Sequence, residues 1–202
     1  MFDKKFYFSL AIVMGFFLIV SVAMAAETTK FSTDFMEGTF VGDVDLKVDD
    51  KTKMCSYVDD ENGITYNIST VDDTESLMKI YGAQGVVNPT KVTLNGNDWN
   101  VYFADGMPDG STNKGDLMNI IICQSQGEKQ GYLIYAIVDS DSDNIDPAMD
   151  ETNGVYLKFV KPLLKSITLK ESGNVPKINE EFGLSEDEFQ QKLDELSSMT
   201  ES

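Results

Sequence analysis

Two apolar runs in the middle of the chain predict the central strands of a sheet. Residues 117–123 and 132–138 flank a polar stretch whose Gly127-Glu128 pair suits a two-residue hairpin turn. With that turn, Ile122 would lie opposite Leu133. Both faces of both runs are apolar, whereas a hairpin with one wet face would alternate apolar and polar residues. We therefore expect two central strands that other elements cover on both sides.

Weaker patterns on the N-terminal side predict further strands. Residues 35–48 indicate one or two strands, and residues 54–58 and 64–70 flank Asn62-Gly63, a strong type I′ turn signal. A second such signal, Asn95-Gly96, separates residues 92–94 from residues 99–103. The alternation of the latter predicts one apolar face made by Trp99, Val101 and Phe103. Residues 104–115 are rich in glycine and proline, which predicts an exposed loop.

Three segments have helical patterns. Residues 72–81 predict a short helix with Asp72 as its N-cap. Apolar residues recur at helical spacing from Val155 to Ile167, but Pro162 should kink the helix or split it in two. Residues 185–199 begin with a Ser185/Glu188 capping box and carry a thin apolar stripe, which would dock weakly or await a partner.

These patterns divide the chain into four parts. Residues 1–26 combine Lys4-Lys5, an uncharged run from residue 6 and small residues before Glu27, which predicts a cleaved signal peptide or an N-terminal membrane anchor. Residues 27–34 read as a tether, residues 35–170 as an α+β domain, and residues 171–202 as a polar C-terminal tail with a short amphipathic helix. The expected location is secreted, or anchored on the outer face of the cytoplasmic membrane.

The amino-acid composition limits the kinds of partner and of catalysis that the chain can have. The chain of 202 residues has 34 acidic side chains, 16 basic ones and no histidine, a net charge of −18. All the basic residues are lysines. This balance disfavours nucleic acids and anionic membranes as partners, so membrane contact is expected only through an uncleaved N-terminal segment. Without histidine or arginine, imidazole-based catalysis and bidentate phosphate clamps are excluded.

An acidic loop is the sharpest candidate site. Asp139, Asp141, Asp143 and Asp150 have a spacing that resembles a calcium-binding loop, and their oxygens suit Ca²⁺. Asn144 stands where the sharp turn needs glycine, and a strand precedes the loop instead of a helix. The alternative is a solvated acidic connection between a strand and a helix.

Three smaller features carry further hypotheses. Cys55 and Cys123 are the only cysteines, so they are a candidate disulfide or, alternatively, two buried free thiols. Asn67 begins an N-glycosylation sequon and should lie on the wet face of its strand. Asp105 and Asp109 are candidates for paired acid–base carboxylates, although aspartate among turn glycines is expected for backbone reasons.

The order of elements resembles the PsbP-like fold, an α/β/α sandwich in which an antiparallel sheet lies between helices. The resemblance covers about residues 35–168 and rests on TLNGNDWNVYF at residues 93–103 and on the helix ending LLKSI at residue 167. It implies an accessory or binding module without catalytic residues. The composition also resembles that of small surface-associated archaeal proteins.

The expected function is therefore an exported, non-catalytic binding or accessory module at the cell surface, with no cofactor, whose partner is an unidentified protein or small ligand. One alternative is a Ca²⁺-dependent extracellular module that uses residues 139–151. The other is an enzyme based on carboxylates such as Asp105 and Asp109.

Overall fold

The computed structural model describes residues 27–48, 55–83, 86, 88–106, 118–138, 154–181 and 183–200. Ten strands lie in these ranges: β1 Thr28–Ser32, β2 Met36–Val41, β3 Asp45–Val48, β4 Cys55–Asp59, β5 Ile64–Val71, β6 Thr90–Leu94, β7 Asn97–Gly106, β8 Met118–Gln126, β9 Gly131–Val138 and β10 Thr168–Leu169. The helices are α1 Thr74–Ala83, a π-helical turn Tyr156–Val160 that continues into α2 Lys161–Ser166, α3 Ile178–Glu181 and α4 Glu186–Thr200.

The strands form two sheets. The large sheet has the order β3-β4-β5-β9-β8-β7-β6, and the small sheet has the order β1-β2-β10. Every neighbouring pair is antiparallel. The predicted class, an α+β fold with an antiparallel sheet covered by helices, is confirmed.

The central hairpin has the predicted faces but a different register. Ile122 lies opposite Tyr135 instead of Leu133, because a four-residue loop closed by Gly127 N–H donating to the Gln130 carbonyl (2.9 Å) replaces the two-residue turn. The register is shifted by two residues, and side chains alternate with a period of two, so no residue changes face. β5 and β7 flank this pair in the large sheet. The main core covers one face of the pair, and the second core covers the other face over β9.

The two outer hairpins differ in how well their turn signals predict them. Asn95 and Gly96 have φ of 51° and 79° and form the two-residue turn between β6 and β7. In the β4–β5 hairpin, Tyr57 pairs with Tyr66 across a longer loop, so the predicted type I′ turn at Asn62-Gly63 is wrong. The cause is buried Asp59, whose carboxylate accepts from the Asn62 backbone N–H (2.9 Å) and side-chain amide (2.9 Å and 3.1 Å).

One face of the large sheet packs on the small sheet and on the closing helix. The shared core is aromatic and aliphatic and includes Phe40, Tyr66, Trp99, Ile134 and Leu163. The prediction that Trp99, Val101 and Phe103 form one apolar face is confirmed, since all three contribute to this core.

The closing helix accommodates Pro162 without breaking. Tyr156–Val160 is wound as a π-helix, and α2 follows directly with Pro162 in its first turn. A proline in the first turn of a helix lacks a backbone N–H that would have no intrahelical acceptor there. The change from π-helical to α-helical winding just before Pro162 therefore accommodates the proline without the loss of a backbone hydrogen bond. Ile167 then leaves the helix in an extended conformation and leads into β10, which pairs with β2.

The opposite face of the large sheet, called here the outer face, carries α1, α3 and α4. Leu77, Ile178, Phe189 and Leu193 pack with Leu133 in a second core. The capping box of α4 is confirmed: Glu188 accepts from the Ser185 backbone N–H (2.9 Å) and hydroxyl (2.7 Å). The apolar stripe of α4 therefore docks on this domain.

Three predicted boundaries are wrong. Residues 27–34 are not a tether, because β1 pairs along its length with β2 and buries Phe31. The tail from residue 171 belongs to the domain, since the Ile178 N–H donates to Asp72 Oδ1 (2.9 Å) and buried Gln130 binds Lys170 and Ser172. The predicted loop at residue 104 begins later, because β7 continues to Gly106.

Candidate functional site

The helices cover only one part of the outer face. The apolar side chains of β5 and β9 lie beneath α1, α3 and α4. On β6, and on β7 and β8 beside the start of α1, the same face carries polar side chains, and the first turns of α1 rise beside them. Ile120 and Ile122 lie on the same face of β8, outside the lining of this depression. We call the depression the polar groove. It is lined by Asp72, Asp73, Thr74, Glu75, Met78 and Lys79 from α1 and the preceding turn, and by Lys91, Val92, Thr93, Asp98, Trp99, Asn100, Tyr102, Gln124 and Gln126 from the sheet.

The groove consists of two adjoining cavities of ≈620 Å³ and ≈540 Å³. Asn100, Gln124 and Gln126 line both of them, so the cavities form one continuous depression. Each volume lies within the range of about 300–1,000 Å³ that small-molecule sites occupy.

A chain of hydrogen bonds holds the floor of the groove in place. Asn100 Nδ2 donates to Gln124 Oε1 (2.7 Å), and Gln124 Nε2 donates to Thr74 Oγ1 (3.0 Å). The Thr74 hydroxyl then donates to Gln126 Oε1 (2.5 Å). Three amides and one hydroxyl from β7, β8 and α1 are thus ordered before any ligand arrives.

Thr74 can join this chain because the backbone beside it is glycine. A Cβ built on Gly131 would overlap the Thr74 methyl group, so any larger residue in β9 would push α1 away from the sheet. Thr74 itself is buried. The first turn of α1 is therefore seated directly on β8 and β9.

The N-terminus of α1 is capped by Asp73 instead of the predicted Asp72. Asp73 Oδ1 accepts from the Ser76 N–H (3.0 Å) and Oδ2 accepts from the Ser76 hydroxyl (2.6 Å). Partial burial opposes ionisation of Asp73, but the bonds from Ser76 and the Glu75 backbone N–H, together with the charge of Lys79, outweigh it and lower the pKa of this carboxyl. Asp73 is thus ionised at neutral pH and has no proton to donate.

Carboxylates outnumber ammonium groups around the groove. Asp72, Asp73, Glu75 and Asp98 face two lysines, Lys79 and Lys91. Lys79 is paired with Glu75 at 3.1 Å. The groove therefore carries a negative potential, which the charge of −18 on the whole chain reinforces.

The candidate calcium ligands Asp139, Asp141, Asp143 and Asp150 lie outside the described residues, so the calcium hypothesis stays a prediction. Within the described ranges, no group of three or more acidic or cysteine side chains is arranged to hold a metal. Asp105 belongs to β7 and pairs with Asn119, whereas Asp109 lies outside the described ranges.

The disulfide hypothesis is wrong. Cys55 and Cys123 are both free. They lie in β4 and β8, which β5 and β9 separate, so at about 4.8 Å per strand they are about 14 Å apart, twice the reach of a disulfide. The alternative of two buried thiols is correct only for Cys123, because Cys55 is exposed.

Asn67 lies on the outer face of β5 and is half-buried. Its Oδ1 accepts a hydrogen bond from the Ser56 hydroxyl (2.7 Å). Glycosylation of this sequon stays a prediction.

Nothing in the sequence pattern singled out the groove. Asn100, Gln124 and Gln126 are separated by up to 26 positions, and Thr74 belongs to a different element. The one available signal was that the apolar run of β8 gives way to QSQ at residues 124–126.

No helix in the described part of the chain is long and apolar enough to cross a membrane.

Comparison with known proteins gives little. No family model matches the sequence, and no curated protein is significantly similar. One solved structure that is similar is a protein from Bacteroides thetaiotaomicron determined at 1.50 Å resolution, with a TM-score of 0.45 and 8% sequence identity. The similarity covers 72% of this chain and 49% of the other, so this chain spans about half of that protein.

Proposed function

We propose that the protein is an exported, non-catalytic binding module whose ligand occupies the polar groove. The observation that carries this proposal is the chain of hydrogen bonds from Asn100 through Gln124 and Thr74 to Gln126. Side chains that are already ordered lose little entropy on binding, so a groove of this kind favours association. Export is supported by the signal pattern of residues 1–26.

The chemistry of the groove favours binding over catalysis. The chain contains no histidine, and the groove offers amides, hydroxyls, carboxylates and two lysines. Asp73 has a lowered pKa, whereas a carboxyl that acts as a general acid near neutral pH needs a raised one. We therefore propose that the ligand leaves the groove unchanged.

A groove-filling variant tests this proposal. Asn100→Trp places a large side chain where the two cavities meet, and Thr65→Trp is the matched control on the outer face of β5, away from the groove. Both variants and the unmodified chain are heated with small sugars, amino acids, short peptides, nucleotides and carboxylates.

We expect at least one of these ligands to raise the melting temperature of the unmodified chain and of Thr65→Trp, but not of Asn100→Trp. A ligand at a hundredfold excess over its Kd stabilises the native state by about 2.7 kcal/mol, which is readily measured. Mass spectrometry should recover the ligand intact. An equal shift in Asn100→Trp, no shift with any ligand, or conversion to a product would each contradict the proposal.

A further inference from the structure

The hydrogen-bonding groups in the polar groove point to one chemical class of ligand. We propose that the groove binds a neutral oligosaccharide, an inference that rests on the proposed binding function and gives it a ligand class. Three properties of the groove lead to it: its mixture of donors and acceptors, its charge and its extent over two adjoining cavities.

The floor supplies donors. Each side-chain amide has two N–H donors, and the chain of hydrogen bonds uses one N–H of Asn100 and one of Gln124. Gln126 uses one N–H on the Gly127 carbonyl (3.1 Å). Among the described residues, no hydrogen bond uses the second N–H of these three amides, and the positions of the side chains are already set.

The walls supply acceptors. Asp73 before α1, Glu75 on α1 and Asp98 on β7 line the same cavities as the amide donors. Their carboxylates already bind Ser76, Lys79 and Thr93, respectively, but a carboxylate has about four acceptor sites, so each can accept a further hydrogen bond. A ligand that uses both kinds of group must donate and accept along its whole length. Hydroxyl groups do this, since each has one donor and two acceptor lone pairs. A chain of sugar units presents such groups in a row.

Charge and desolvation disfavour two classes of ligand. Four carboxylates against two lysines repel phosphate and carboxylate ligands. The polar floor would be desolvated without compensation by a lipid or another apolar ligand. The cavity of ≈620 Å³ lies beside α1 and the cavity of ≈540 Å³ lies against β6 and β7, so together they have room for several linked units.

The test observes the groove amides directly. The full chain is labelled with ¹⁵N and kept in a detergent without sugar groups, so that the N-terminal segment is retained. Side-chain NH₂ signals of Asn100, Gln124 and Gln126 are followed during titration with neutral hexasaccharides of glucose, mannose and N-acetylglucosamine. Hexagalacturonate, of equal length but anionic, is the ligand control.

We expect saturable shifts of these signals with at least one neutral hexasaccharide, and binding of hexagalacturonate weaker by about tenfold or more. Asn100→Ala should also weaken the neutral ligand by about tenfold, the value of one hydrogen bond near 1.4 kcal/mol. Gln190→Ala, which removes an exposed amide on α4, should leave the affinity unchanged. If Asn100→Ala does not fold, Gln126→Ala replaces it, because Gln126 is exposed.

Each of three results of the saccharide titration would overturn the ligand class: no saturation by any neutral hexasaccharide at millimolar concentration, equal affinity for hexagalacturonate, or equal effects of Asn100→Ala and Gln190→Ala. Binding of a peptide or nucleotide that shifts the groove amides, without sugar binding, would overturn the ligand class and leave the proposed binding function standing. A chain in which no ligand of any kind shifts these signals would fail both proposals.

Discussion

At the scale of single residues, buried polar groups decide much of the local structure. Asp59 and Gln130 are fully buried. Asp59 closes a hairpin through its bonds to Asn62, and Gln130 attaches the tail through its bonds to Lys170 and Ser172. In contrast, Trp99 Nε1 and the Tyr156 hydroxyl are buried without a hydrogen-bond partner in the described part of the chain. A buried polar group without a partner loses hydration and gains nothing in return.

Substitutions of two tyrosines distinguish a buried hydroxyl without a hydrogen-bond partner from one that has a partner. Tyr156→Phe removes the hydroxyl without a partner, so we expect the free energy of unfolding to stay unchanged or to rise by up to about 1 kcal/mol. Tyr132→Phe removes a hydroxyl that donates to the Lys170 carbonyl at 2.9 Å, so unfolding should become easier by about 1 kcal/mol. Urea denaturation of both variants measures the difference. A Tyr156→Phe variant that loses as much stability as Tyr132→Phe would show that its hydroxyl is satisfied.

At the scale of elements, the contact between α1 and the central hairpin sets the groove. Thr74 fits against Gly131 of β9 and binds Gln124 and Gln126 of β8. The strands and α1 are therefore joined at one point by shape and by hydrogen bonds. A change at Gly131 should affect both the stability of the domain and the geometry of the groove.

Substituting Gly131 tests this contact. Gly131→Ala should destabilise the protein by about 2–3 kcal/mol, because the added methyl group overlaps that of Thr74. The double variant Gly131→Ala, Thr74→Ser should recover part of the loss, since serine keeps the hydroxyl and lacks the methyl group. Gly82→Ala is the control: it lies in α1 with nothing within 4 Å, so it should stabilise by about 0.5–1 kcal/mol. Thermal denaturation compares these variants with Thr74→Ser alone and with the unmodified chain, and additive effects of the two substitutions in the double variant would refute the overlap.

At the scale of the whole molecule, two layers hold one large sheet between them. The small sheet and the closing helix cover one face, and α1, α3 and α4 cover part of the other. No covalent link joins the layers, because both cysteines are free. Burial of apolar side chains on the two faces therefore supplies the stability of the assembly.

The reactivity of the two thiols tests whether the cysteines are free. In the native protein one thiol should react with a thiol reagent, because Cys55 is exposed and burial raises the pKa of the Cys123 thiol. After denaturation two thiols should react. A reducing agent should leave the melting temperature unchanged, whereas breaking a disulfide over this loop would remove about 4 kcal/mol. A denatured chain without reactive thiols would contradict the structure.

The order and type of most elements followed from the sequence alone, with the exception of β1, β10 and α3. Continuous apolar runs identified the central hairpin, and apolar periodicity identified the closing helix and the helix with the capping box, because burial favours a period of 3.6 on helices. The alternation of side chains along a strand placed the described side chains of the central hairpin on their correct faces. The turn at Asn95-Gly96 was also determined locally, since two successive positive φ angles strongly favour those residues.

Only the tertiary structure decided the registers, the boundaries and the groove. In the two hairpins whose turns differ from the prediction, the register is shifted by two residues. Such a shift leaves each side chain on the same face of the sheet, so the pattern of apolar residues cannot reveal it. Residues 28–32 form β1 because they pair with β2, the next strand in the chain, and because this hairpin buries Phe31 in the core. The groove joins Thr74, Asn100, Gln124 and Gln126 from separate elements. Polar residues on a solvent-exposed sheet face follow no sequence pattern that predicts which of them lie close together. The position at which α1 packs on the sheet decides this.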